Sequence, residues 1–329
     1  MLLRVSNMRG VDLDVFDFDF DLTWAALFLS PEGKTLGRYG SREASSSSSQ
    51  LSLEGLRYAL EQALKRQHAV AASGAKAAHA NAGPGKGKTV EDYPAIGRLA
   101  PKACIHCHQV YEFRREAKQA AGTWSRSELW VYPEPANVGL LLDIHQGNKI
   151  VKVLAPSAAA EAGIAAGDIL REINGVAIAS IADVQFALHG APPRGRVTVS
   201  WKRGNKDCAG VLELKEGWRT TDLSWRWSLK SLAPAPCVHG DDLSAMEKQA
   251  LGLTPASLAF RQGPFLSVPA RHAGIQINDI IIGVDHRKLE MSARQFEVYV
   301  RVNYHPGDTV IYNILRGKLR LNLPLRFPG

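Results

Sequence analysis

One fifteen-residue pattern occurs twice in this chain. Glu161-Ala162-Gly163-Ile164-Ala165-Ala166-Gly167-Asp168-Ile169-Leu170-Arg171-Glu172-Ile173-Asn174-Gly175 returns as His272-Ala273-Gly274-Ile275-Gln276-Ile277-Asn278-Asp279-Ile280-Ile281-Ile282-Gly283-Val284-Asp285-His286. Both copies share Ala-Gly-Ile, then Asp-Ile, then apolar positions ending in a turn. Gly163 and Gly167 permit tight backbone turns around a short helix. Asp168-Ile169-Leu170 opens a buried strand, and Asn174-Gly175 is a hairpin turn. A helix pattern follows each copy, Ile181–Leu188 and Ala293–Val302, and then two strands about Arg203-Gly204 and Arg316-Gly317. The chain is therefore expected to hold two similar α+β modules, over 136–218 and 222–328. The second carries an added helix, Leu243–Leu251, with Ser244 and Glu247 placed as a capping box.

These residues closely resemble the PDZ domains of periplasmic proteases of the HtrA/Deg type. Ala155-Pro156-Ser157-Ala158 leads into the motif as it does there. The resemblance implies binding of C-terminal or extended peptides of partner proteins. Such a peptide adds as a strand beside an edge strand, and backbone N–H groups of an apolar-Gly-apolar loop hold its carboxylate. Val138-Gly139-Leu140 fits that loop, Leu141-Leu142-Asp143 fits the edge strand, and Val184 and Leu188 are placed to line the groove. The same side chains also suit plain core positions. In the second copy the matching stretch reads as Trp227-Ser228-Leu229, where Ser228 in place of glycine points to a structural role. No Gly-x-Ser-x-Gly or catalytic triad setting accompanies the modules, so the chain reads as non-enzymatic.

The N-terminal part reads differently. Phe16-Asp17-Phe18-Asp19-Phe20-Asp21 alternates strictly, which predicts a half-buried strand with its aspartates on a solvated face. A second strand over Thr23–Leu29, a turn at Ser30-Pro31-Glu32-Gly33, a return strand over Lys34–Tyr39 and a helix from Leu53 follow. Residues 1–68 thus resemble the C-terminal part of a thioredoxin-like domain. The chain lacks that family's first βαβ part and its Cys-x-x-Cys there, and Thr23 stands where thioredoxins usually have a cis-proline. The start lacks a signal-peptide pattern, so the N-terminus is expected to be incomplete. Residues 69–90 are poor in large apolar side chains and read as a flexible linker.

Over 91–135 lies Cys104-Ile105-His106-Cys107-His108, the spacing of a c-type haem attachment site. On that reading Cys104 and Cys107 form haem thioethers from one helical turn, and His108 is the axial ligand to the haem iron. The sixth ligand stays open among Met246, Met291 and His145. Zinc held by Cys104, Cys107 and histidine is an alternative. So is a dithiol whose thiol pKa is lowered by neighbouring histidine and lysine.

With 329 residues, 45% apolar and 22% charged, the chain suits a soluble α+β multidomain protein. Its net charge of +8 is scattered rather than clustered. This argues against nucleic-acid binding, and no apolar run is long enough for a membrane span. The order of parts resembles a bacterial family of thioredoxin-like/PDZ fusion proteins, some of which carry selenocysteine. The expectation is an extracytoplasmic, periplasmic PDZ scaffold carrying haem c for electron transfer or redox sensing, with an unnamed redox partner. Its rivals are a protease-regulatory adaptor and a thiol-disulfide oxidoreductase using Cys104 and Cys107.

Overall fold

Local chemistry sets most of the turns in the computed structural model, which describes residues 1–72 and 87–329. The chain divides into two compact units, Met1–Thr221 and Asp222–Gly329. Of the stretch expected as a linker, residues 69–72 are the end of a helix and Val90 is fully buried. Residues 73–86 lie outside the described part.

The first unit opens without a strand. Residues 11–22 form turns, which corrects the expected alternating strand. Asp19 and Asp21 are buried rather than solvated. The Asp19 carboxylate accepts the Asp21 N–H at 3.2 Å and the Tyr111 hydroxyl at 3.3 Å. Such a local side-chain bond competes with a strand ladder for the backbone. Met8, Leu13 and Phe20 pack with Val90, Tyr93, Ile105, Val110 and Phe113 into one small core. The first twenty residues therefore belong with the Cys/His segment.

A hairpin follows, β1 (Ala26–Leu29) antiparallel to β2 (Thr35–Tyr39). Its turn uses Gly33 at φ 82°, a conformation that glycine adopts without steric cost. Helix α1 (Leu53–Ala72) lays Gly55, Ala59 and Ala63 on its buried side, and Arg66 reaches the Leu36 carbonyl at 2.6 Å. These small residues permit close approach to β2. The sheet has two strands, not the three that the sequence suggested. Helix α2 (Cys107–Ala120) then packs on the small core.

The repeat motif builds the rest of this unit. Strands β3 (Leu140–Leu142) and β4 (Ile150–Val153) pair antiparallel, and α3 (Ala158–Glu161) is capped by Ser157. Strands β5 (Ile169–Ile173) and β6 (Val176–Ala177) turn at Asn174-Gly175, both at positive φ as a type I′ hairpin needs. Helix α4 (Ile181–His189) leads to β7 (Gly195–Arg203) and β8 (Lys206–Leu214), giving a sheet of order β6-β5-β7-β8. One apolar cluster, including Ile150, Leu170, Val184, Leu188 and Trp201, fills the space between these elements.

The second unit repeats this plan. It runs β9 (Gly240–Asp242), α5 (Ala245–Ala250), β10 (Phe260–Gln262), α6 (Val268–His272), β11 (Ile280–Val284), α7 (Ala293–Asn303), β12 (Thr309–Arg316) and β13 (Leu319–Arg326). The antiparallel sheet has the order β13-β12-β11-β10-β9. Helix α5 is the added helix, and Ser244 and Glu247 close its capping box.

Candidate functional site

The edge of β3 is the first feature with binding chemistry. Among the described strands, β3 pairs with β4 alone. The Leu154 N–H donates to the Gly139 carbonyl at 2.9 Å, and Leu140 lies opposite Val153. Bonded and non-bonded pairs alternate along an antiparallel ladder. Leu140 therefore turns its N–H and C=O away from β4. At the other end the Asp143 N–H reaches the Lys149 carbonyl at 3.0 Å, and Leu142 opposite Ile150 again faces outward. The register shift between Leu141 and Leu142 lies within this short strand.

Gly139 heads the strand at φ 90°, closing the turn Pro135–Val138. Its own N–H is taken by the Ala136 carbonyl at 2.9 Å. A Cβ at this position would stand 2.0 Å from Ser157 Oγ, so only glycine fits. Val138, Leu140, Val184 and Leu188 do come together, within the main apolar cluster, and all four are buried. Their packing holds α4 beside β3; Leu142, partly buried against the same cluster, is the more accessible apolar side chain there.

The other side of α4 is occupied by this chain itself. The Arg38 N–H donates to Asp183 Oδ1 at 3.0 Å, and Ser180 Oγ donates to the Arg38 carbonyl at 2.6 Å. The Arg38 guanidinium lies 3.4 Å over the Phe186 ring, and Tyr132 stacks on His189 at 4.4 Å. Burial pushes the Asp183 carboxyl up despite the nearby Arg66 and Arg38 charges. Burial beside Asp17 and Asp19 pushes the Tyr132 phenol far up. Sequence reasoning missed this docking because its partners lie far apart in the chain.

The register also corrects the assignment in the second unit. The Ile150 N–H donates to the Asp168 carbonyl, and the Gln262 N–H to the Asp279 carbonyl, both at 2.8 Å. Ile150 faces Leu142, and Gln262 faces Gly240. Counting back two residues sets Val238 at the place of Leu140, and one further sets Cys237 at the place of Gly139. The equivalent loop is thus Pro236-Cys237-Val238, not Trp227-Ser228-Leu229. Cys237 takes φ 64°, so the left-handed backbone is kept without glycine. Ser267, which caps α6 as Ser157 caps α3, donates to the Cys237 carbonyl at 2.8 Å.

The Cys/His segment has a different geometry from the one its spacing suggested. Helix α2 begins at Cys107, and His106 before it is extended. Cys104 lies outside the helix, exposed, so one helical turn does not carry both thiols. Cys107 is half-buried with its Sγ 3.8 Å from the sulfur of buried Met8. Burial pushes its thiol up, against a smaller lowering by the backbone, which is opposite to an activated dithiol. His108 Nδ1 lies 3.0 Å from Glu112 Oε1, leaving Nε2 for other contacts. His145 is tied to Ser52 Oγ at 3.1 Å. A c-type haem needs both sulfurs on one porphyrin edge beside the axial imidazole. These residues do not fit it, because the second sulfur is turned onto Met8 in the small core. Among the described residues, no three of His, Cys, Asp and Glu converge as a metal site, and the zinc alternative lacks a donor set.

Comparison with known proteins adds the family of the first module. A PDZ domain model matches residues 149–203, which run from the residue before β4 to the end of β7. The chain is 29% identical over 181 residues to the periplasmic pH-dependent serine endoprotease DegQ of Escherichia coli, covering 53% of this chain and 37% of that protein. It is 24% identical over 205 residues to the periplasmic serine endoprotease DegP of the same organism, covering 59% and 40%. The chain thus spans well under half the length of these relatives. Among solved structures, the HtrA-type protease AlgW with a decapeptide matches at 12% identity and a TM-score of 0.25, over 41% of this chain and 50% of that one. A PDZ domain protein from Parabacteroides distasonis matches at 12% identity and a TM-score of 0.20, over 58% and 96%. The chain contains a PDZ domain similar to those of HtrA/DegP-type periplasmic proteases. Among the described residues, no helix is long and apolar enough to cross a membrane.

Proposed function

We propose that this chain is an extracytoplasmic PDZ scaffold whose first module binds extended peptide segments of partner proteins. The outward-facing backbone groups of Leu140 and Leu142 on the open edge of β3 support this most directly. An added strand gains backbone hydrogen bonds there and buries its side chains against Leu142, which is partly buried beside the main apolar cluster. The periplasmic location of the similar proteases supports the compartment. The chain itself acts by docking, as an adaptor or a regulator of a protease, and no reaction step is assigned to Cys104, Cys107 or His108.

The test uses decapeptides with free or amidated C-termini, titrated by fluorescence polarisation into the full chain and into Leu142→Pro. Proline is tolerated where a strand N–H faces away from its ladder, so this variant removes an edge donor and spares the β4 pairing. The reading expects free-acid peptides to bind and Leu142→Pro to weaken them by about tenfold or more. Unchanged affinity in a folded Leu142→Pro chain would move the site elsewhere.

A further inference from the structure

The two copies of the motif differ most on one face of their long helix. Ser180 caps α4 and Ser292 caps α7. Aligning the caps sets Ala182, Gln185, Phe186 and His189 at the places of Arg294, Glu297, Val298 and Arg301. In the first unit this face is covered by the chain's own Arg38 and Tyr132. Phe18 and Asp19 face Ala182 and Gln185 across a small cleft, and Arg38 lies over Phe186.

In the second unit the same face borders a cavity of about 320 Å³, at the lower end of ligand-pocket sizes. Its far wall is the segment that precedes β9. That segment is fixed along α7 by Arg294 Nε to the Ser224 carbonyl at 2.8 Å, Gln295 Nε2 to Asp222 Oδ2 at 2.7 Å, and Arg301 to the Leu232 carbonyl. The cavity is cationic and aromatic. Arg226 and Arg301, 4% and 7% exposed, stand in its walls, and Lys230 and Arg294 are exposed at its rim. Among the described residues lining it, Glu297 is the single carboxylate, and Arg301 already engages it at 2.9 Å. Trp227 is 51% exposed with the Lys230 ammonium 3.7 Å from its ring centre, and Arg226 lies 4.4 Å over Trp225.

We propose that this cavity docks an acidic, aromatic polypeptide segment of a partner protein. Two independent observations carry it. The molecule uses the equivalent helix face to hold its own polypeptide, with Arg38 on Phe186 and Tyr132 on His189. In the second unit the exposed cations Lys230 and Arg294 and the exposed ring of Trp227 complement acidic and aromatic side chains. Carboxylates pair with Arg294 and Lys230 at the rim, where water partly screens them. Aromatic side chains pack on the exposed ring of Trp227. The site is separate from the β3 edge and does not rest on it.

The test titrates a fluorescein-labelled peptide copying residues 15–22, Val-Phe-Asp-Phe-Asp-Phe-Asp-Leu, into the full chain. The same peptide with asparagine at each aspartate is the control. The proposal expects the acidic peptide to bind, to weaken as salt is raised, and to weaken by about tenfold or more with asparagine or in the Lys230→Glu/Arg294→Glu chain. Both substituted side chains are exposed, and a thermal melt checks the fold. Trp227→Ala should weaken binding as well, while Leu142→Pro should leave it unchanged. No binding, equal binding of both peptides, or full retention in the charge-reversed chain overturns the proposal. So does displacement of the peptide by single-stranded poly(dT) at a lower concentration than unlabelled peptide, which would assign the face to nucleic acid.

Discussion

Arg203 donates from Nε and Nη2 to the two oxygens of Asp168 at 2.9 and 2.8 Å, and Arg316 binds Asp279 in the same way at 2.8 Å twice. Each acid also accepts a backbone N–H, from Ala165 and from Gln276. Each arginine adds a bond to the glycine carbonyl of the motif, Gly163 or Gly274, at 2.7 Å. The conserved geometry explains why an aspartate follows the Ala-Gly-Ile turn in both copies. It ties the start of a buried strand to the end of the strand before the last turn.

The Asp168 carboxylate is 1% exposed, so Asp168→Asn should cost about 1–3 kcal/mol by weakening a charge-assisted pair. Burial pushes this carboxyl up, but the Arg203 bonds and the Ala165 N–H outweigh burial and hold it below its ordinary range. A folded-state pKa below the unfolded one adds stability above the unfolded value, and that stability is lost as pH falls through the folded value. Urea unfolding across pH should show the difference between the parent and Asp168→Asn shrinking below about pH 4. A difference independent of pH would contradict the pairing.

Gly139→Ala should destabilise the chain by about 1–3 kcal/mol, from left-handed strain together with the contact on Ser157. Gly139→Ala/Ser157→Gly, which removes both the Oγ and the Cβ that stand 2.0 and 2.3 Å from the added methyl, should recover part of that loss in thermal unfolding. A neutral single variant would show that the turn relaxes freely.

The hairpin docked on α4 should loosen in Arg38→Ala, which removes the guanidinium over Phe186 at a cost of about 1 kcal/mol. Chymotrypsin cleavage near Phe28 should speed up without a loss of the module core. Unchanged cleavage would mean that the backbone bonds to Ser180 and Asp183 hold the hairpin alone.

The two thiols of the Cys/His segment should separate in alkylation. Exposed Cys104 should react with iodoacetamide first, and Cys107, pushed up by burial, should need a higher pH than an ordinary thiol. Peptide mass mapping over a pH series reads this. Equal rates, or Cys107 reacting first, would contradict the contact with Met8.

The repeated motif was legible because its turns demand particular residues, as at Asn174-Gly175 and at Gly163. The hairpin turn at Gly33 was legible for the same reason. The Phe16–Asp21 alternation misled because Asp19 bonds its neighbours' backbone and Phe20 joins a core built from residues far along the chain. Cys237 carries no local signal for its turn, because positive φ is ordinarily marked by glycine and here a cysteine holds it. Cys104 and Cys107 had the right spacing, but spacing says nothing of where a helix begins or of the Met8 sulfur beside it. The covering of α4 by Arg38 and Tyr132 leaves no local pattern at all.

The peptide-docking edge is tested most directly by amide hydrogen exchange at Leu140 and Leu142, measured by NMR with and without a saturating free-acid decapeptide. Both amides should exchange quickly in the free chain, where they face away from β4, and slow by about tenfold or more on binding. Bound peptide with Leu140 and Leu142 exchanging as fast as before would contradict strand addition at this edge.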